Sequence, residues 1–155
     1  MAPLSALRNR VRQERGAELI EMALVLPLLL LIVMGIFDFG FMFREMSVVT
    51  NAAREGARAG ILPDYESDAN VVARVQQYFD ASGIDVTCGS ADCIVQSPVI
   101  DVTAPSGTFE ARDVRVTIFH DWTFLSPIAT FFGGSFTSVA LSGRAVMRVE
   151  AGAGS

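Results

Sequence analysis

Glu21 stands at the head of an uncharged run, Met22 to Phe37. A carboxylate at the edge of a bilayer loses hydration, so it needs a counter-charge or a proton. An anchor alone would be served better by an apolar or basic residue. The chemistry open to such a group is ion pairing rather than catalysis. A glycine, Gly16, closes a basic leader containing Arg8, Arg10, Arg12 and Arg15, and Glu21 is the fifth residue beyond it. A second carboxylate, Asp38, ends the run. At helical rise it lies roughly 25 Å from Glu21, near the far headgroups. The expectation is an interfacial, hydrated group; the competing reading is a buried one with a specific arginine partner.

Other reactive residues are sparse. His120 is the single histidine, and in a strand its neighbour Asp121 points to the opposite face, so no second ligand accompanies it. Ser126 and Ser135 lack a nucleophile elbow, and Gly133-Gly134 is not a phosphate loop. No enzyme, metal or cofactor is expected. Cys88 and Cys93 enclose Gly89-Ser90-Ala91-Asp92. A small disulfide-closed loop in an oxidising compartment is the expectation, with two free thiols as the alternative. Phe119, Trp122, Phe124, Phe131, Phe132 and Phe136 form a dense aromatic cluster. It reads as core, with an exposed patch for a partner subunit as the alternative.

These residues are carried by one long helix and a small domain. About 20 apolar residues cross a bilayer, and Leu19 to Phe37 suffices if its ends sit in the headgroups, with the membrane part taken as about 19–43. The run is long and lacks a small-x-small site, so it is not a cleaved secretory signal. The helical pattern persists from Ala17 to Ala59, a rod of roughly 65 Å at 1.5 Å per residue. Gly60 then offers a left-handed cap, with Pro63 beyond it. Pro27 removes one hydrogen bond inside the apolar turns, as either a bend used in assembly or a tolerated kink. Ala52, Gly56 and Gly60 recur at i, i+4 and i+8 and make a small-residue face. Packing within the chain is expected there, ahead of packing between subunits. Arg54, Glu55 and Arg58 belong to its rim.

A second helix is capped by Ser67 or Asp68, buries Val71, Val72, Val75, Tyr78 and Phe79, and ends before Gly83. Strands follow at Ile84 to Cys88, Cys93 to Val95 and Val99 to Thr103, with a turn at Ala104-Pro105-Ser106-Gly107. Val114, Val116 and Ile118 alternate as a half-buried strand. Thr123 to Gly134, broken by Pro127 and Gly133-Gly134, reads as a crossover loop. Ser138 to Glu150 alternates again. The fold class is therefore α+β, a helix leading into an antiparallel sheet. The divisions are a leader over 1–16, the long helix over 17–60, a domain over 61–150 and a flexible tail over 151–155.

Charge sets the orientation. The arginines before the helix place Met1 to Gly16 in the cytoplasm and the rest, after Arg44, outside. From Ile61 onward eleven carboxylates face five arginines, a net of −6. So acidic a surface argues against nucleic acid as a partner.

The Gly16-Ala17 junction with Glu21 resembles a type IV prepilin processing site. Glu21-Met22-Ala23-Leu24-Val25-Leu26-Pro27, then Gly35-Ile36-Phe37-Asp38-Phe39-Gly40, then Thr50-Asn51-Ala52-Ala53-Arg54-Glu55-Gly56-Ala57-Arg58 resemble the TadE-like family, pilin-like proteins of the tight-adherence (Tad/Flp) system. The resemblance covers roughly Arg15 to Gly60. It implies that prepilin peptidase cuts after Gly16, and that Glu21 becomes the fifth mature residue and meets the amine of a neighbouring subunit. Pro27 and Asp38 would share in assembly within the bilayer. The implied partners are that peptidase, other pilin-like subunits, Tad membrane assembly proteins and lipid. Met22 stands where Flp-type pilins usually carry an aromatic residue, which points to a minor rather than a major subunit. The other function class is an uncleaved, single-pass anchored binding or sensor domain.

Overall fold

The computed structural model describes residues 4–62, 67–135 and 138–149, with backbone alone for residues 4–15 and 17. Pro63, Phe136, Glu150 and the expected tail over 151–155 lie outside the described residues. The elements are α1 (Leu4–Ala59), α2 (Asp68–Ser82), β1 (Cys93–Gln96), β2 (Val99–Ala104), β3 (Gly107–His120), α3 (Leu125–Phe131) and β4 (Val139–Arg148). The class is α+β, and the sheet is antiparallel throughout.

The chain divides into two compact units, Met1–Phe39 with Thr123–Phe136 and Gly40–Trp122 with Thr137–Ser155. In the first, α1 begins at Leu4 rather than at Ala17. Residues 4 to 15 contain no glycine or proline and are rich in good helix formers, so nothing stops the helix there. Pro27 lies inside α1 without ending it. Leu19, Ile20, Leu24, Leu28, Leu29, Ile32 and Ile36 are all exposed. Glu18–Ala59 contains one stretch long and apolar enough to cross a membrane. A helix that is apolar on every side and buried on none has lipid as its natural solvent.

In the second unit, α1 supplies Val49, Ala52, Ala53 and Ala57 to the core, α2 supplies Val71, Val75 and Phe79, and the sheet supplies Val114, Val116, Ile118 and Leu141. Ser67 caps α2 by accepting from the Asn70 amide at 3.3 Å. Gly83 ends it at φ 69°, a conformation that costs a side chain strain. The central strand is β3. On one edge it pairs with β4 over most of its length, from Ala111↔Arg148 to His120↔Val139. On the other edge β1 and β2 lie end to end, Gln96↔Arg115 being followed by Val99↔Arg112. Pro98 interrupts them because it has no amide to donate, though its carbonyl still accepts from Asp113 at 3.0 Å. Asp113 also takes a two-pronged bond from Arg144, Nε at 2.7 Å and Nη2 at 2.9 Å. That hydrogen bond, with the charges of Arg144 and Arg115, holds the Asp113 carboxyl below the usual carboxylate range against the effect of burial.

Four expectations change. Ile84 to Cys88 is not a strand; only Cys88 forms an isolated bridge, to Cys93. The Gln76 side chain occupies that backbone instead, donating to Val86 O at 2.9 Å and accepting from Cys88 N at 2.7 Å. β3 begins at Gly107, seven residues before the apolar alternation at Val114, because pairing with β2 draws in the polar stretch. The supposed crossover loop after Thr123 contains a helix, α3, started at Leu125 and closed by Gly133 at φ 76°. Gly60 is not in the left-handed region. Its amide continues the helix to Gly56 O at 3.0 Å, and a glycine is needed there for space: a Cβ would meet Val71 and Arg112 at 2.9 Å.

Candidate functional site

Two carboxylates bracket the apolar part of α1, and the structure treats them differently. Glu21 is exposed and, among the described residues, forms no ion pair or hydrogen bond. The side chain of Ala17, one turn earlier, lies outside the described residues, and Glu18 is the first side chain described. Pro27 follows within the same exposed run.

Asp38 is 1% exposed, which overturns the expectation of a hydrated interfacial group. Among the described residues its partners are backbone amides rather than an arginine. The Phe124 amide donates to both carboxylate oxygens at 3.1 and 3.2 Å, and the Leu125 amide donates to Oδ2 at 2.8 Å. Asp38 thus caps the start of α3 from a different helix. Unsatisfied amides at a helix start attract an anion, and a buried anion needs donors. Sequence could not reveal this, because Asp38 and Leu125 are 87 residues apart and α3 itself reads as loop. Met34 and Gly35, a turn toward the apolar end, are half-buried while their flanking residues are exposed. The Phe37 and Phe124 rings meet at 6.0 Å.

The aromatic cluster is not core. Phe131 is 86% and Phe132 79% exposed, and their rings contact each other edge-on at 5.3 Å. Phe119 and Phe124 are partly exposed as well. Six aromatics close in sequence satisfy the usual composition of a core, but the alternation in β3 turns Phe119 outward, and Phe124, Phe131 and Phe132 belong to a short helix and its ends.

The small-residue face Ala52, Gly56, Gly60 is filled from within the chain. A Cβ on Gly56 would approach Val75 to 2.8 Å and Val114 to 3.3 Å. On the rim, Glu55 pairs with Arg74 at 3.1 Å. A tighter approach sits at Gly143 of β4, where a Cβ would stand 2.7 Å from Thr50 Cα and Val49 O. Cys88 and Cys93 form a disulfide with their Cα atoms 4.5 Å apart.

His120 is buried beside Glu45, with Nδ1 2.8 Å from Oε2. Trp122 packs edge-on to the imidazole at 5.6 Å. Glu45 carries no signal for this role in the sequence, since the pair spans 75 positions. Among the described residues no group of His, Cys, Asp or Glu could hold a metal ion.

The family model described as TadE-like protein matches residues 16–58, so the resemblance carried by the helical segment is matched from Gly16 through Arg58. No curated protein and no solved structure matches the chain.

Proposed function

We propose that this chain is a non-enzymatic, pilin-like minor subunit that takes part in assembling a Tad-type pilus. The TadE-like family is associated with that pilus, and the match begins at Gly16 itself. That coincidence carries the proposal: the matched region opens at the expected processing junction, includes Glu21 and takes in the whole apolar part of α1. α1 crosses the membrane once, with the basic leader in the cytoplasm and the acidic domain outside. Prepilin peptidase hydrolyses the Gly16–Ala17 bond, and Ala17 gains a free ammonium. Glu21 lies one helical turn away, on the same side. In lipid its carboxylate is costly until a cation meets it, and the ammonium of a neighbouring subunit supplies that charge at matching depth. Correct axial register between subunits is then favoured over any other.

One observation favours the second reading, an uncleaved anchored domain. The α1 backbone runs unbroken from Leu4 through Gly16 and Ala17, so a peptidase must unwind that turn before it can cut. Gly16 is where unwinding is easiest, because glycine contributes least to helix stability.

Mass spectrometry of the membrane-extracted protein separates the two. An N-terminus at Ala17 is expected; retention of Met1 to Gly16 overturns processing and leaves the anchored domain. A Glu21→Ala variant is expected to be cut and inserted yet to lose assembly. Normal appendages from that variant would refute the pairing.

A further inference from the structure

We infer that residues 123–135 are a second membrane contact, a short foot that lies beside α1 and sinks Phe131 and Phe132 into the headgroup–acyl boundary of the bilayer. The inference rests on α1 spanning a membrane, but not on pilus assembly.

Four observations converge on this segment. It carries no charge from Thr123 to Ser135, within a part of the chain, from Ile61 onward, whose net charge is −6. Its two most prominent side chains, Phe131 and Phe132, are adjacent, aromatic and 86% and 79% exposed. It clusters into one compact unit with the apolar part of α1, Met1–Phe39. It is fastened at Asp38, the first charged residue after the apolar run, through the Phe124 and Leu125 amides. That attachment fixes its depth at the boundary where hydrocarbon gives way to headgroups.

The backbone of the foot is prepared for a poorly hydrated site. In lipid, an unsatisfied amide or carbonyl is expensive. Asp38 receives the first amides of the segment. Pro127 has no amide. At the other end Phe132 N donates to Ile128 O and Ala129 O, Gly133 N to Thr130 O at 3.1 Å, and Gly134 N to Ala129 O at 2.8 Å. The Thr130 hydroxyl is also satisfied locally, on Ser126 O at 2.9 Å. Exposed adjacent aromatic side chains fit a lipid surface, and the grouping of this segment with the apolar part of α1 in one compact unit selects lipid over a soluble protein.

The test uses the full-length protein in phosphatidylcholine nanodiscs, loaded with one copy per disc. Phe132→Trp is read as the difference from wild type, whose single tryptophan is Trp122. Phe131→Trp is the second variant, and Leu29→Trp reports on the span. Lipids brominated on the upper acyl carbons are expected to quench the added emission at 132 and 131, which is blue-shifted and resists iodide. Quenching by iodide but not by lipid bromines overturns the foot while leaving the span intact, provided Leu29→Trp is quenched by lipid. Resistance to both quenchers in these single-copy discs means that the chain itself buries the two rings, and also overturns the foot. An unquenched Leu29→Trp removes the span, and the foot falls with it.

Discussion

Replacing Asp38 with alanine should release α3 from α1 without unfolding the sheet. Two amides bind this carboxylate, Leu125 at 2.8 Å and Phe124 shared between the oxygens at 3.1 and 3.2 Å. A hydrogen bond to a charged group contributes about 1.5–3 kcal/mol, and an amide left buried without a partner costs a similar amount. Against this, the variant no longer has to bury a carboxylate, which offsets part of the loss. The balance is a local destabilisation of about 2–4 kcal/mol. At 1.4 kcal/mol per tenfold, the segment should open about 30 to 700 times more often. Amide hydrogen exchange of Phe124 and Leu125, followed by mass spectrometry in nanodiscs, reads that factor directly. Asp38→Asn keeps one carbonyl oxygen for Leu125 but turns a donor toward Phe124, so its acceleration should be intermediate. Exchange within about threefold of wild type in Asp38→Ala would refute the capping argument. Equal acceleration of the β3 amides would show that Asp38 holds more than the foot.

Other changes probe the second unit. Gly143→Ala forces a Cβ to within 2.7 Å of the α1 backbone at Thr50 and Val49, where no side chain can swing away. It should destabilise this unit by about 1–3 kcal/mol or more, read as a lower thermal midpoint, and an unchanged midpoint would contradict the close approach. Asp113 has a lowered folded pKa, so the Arg144 bond contributes stability that is present above the unfolded carboxyl pKa of about 3.9 and is lost as pH falls through the lower folded value. Asp113→Asn should therefore flatten the stability profile on the acid side of that window. Because Arg144 is more than half exposed, solvent screening should keep the effect at neutral pH small. Reduction of Cys88–Cys93 reopens a short loop and should cost about 2 kcal/mol by chain entropy, measured as a lower urea midpoint with reductant than without.

Local pattern carried the helices and the inner faces of the sheet into view. Val71, Val75 and Phe79 on α2, with Ser67 before and Gly83 after, need only neighbouring residues to be read. Val114, Val116 and Ile118 likewise announce β3. What stayed hidden depends on partners far along the chain. Gln76 consumes the backbone that made Ile84 to Cys88 resemble a strand. Glu45 reaches His120, and Asp38 reaches Leu125. The aromatic cluster misled for another reason: composition reports that a segment avoids water, but not whether protein or lipid takes water's place.

That ambiguity links the two carboxylates of α1. Asp38 shows how this chain treats a charge it must bury: it supplies two backbone donors and leaves 1% of the residue exposed. Glu21 receives no such provision among the described residues and remains exposed. In water that contrast would mean nothing, since an exposed glutamate is fully solvated. Around Glu21, however, exposed Leu19, Ile20, Met22, Leu24 and Val25 form the surface, and their natural surroundings are lipid. On the proposed reading, a carboxylate set among them, with no internal donor among the described residues, takes its counter-charge from another molecule. Restoring an internal one should therefore remove the need: an arginine introduced one turn on, Val25→Arg, is expected to pair with Glu21 within the chain and to depress assembly while insertion persists. Assembly at the wild-type level with that variant would mean that Glu21 is not neutralised between subunits.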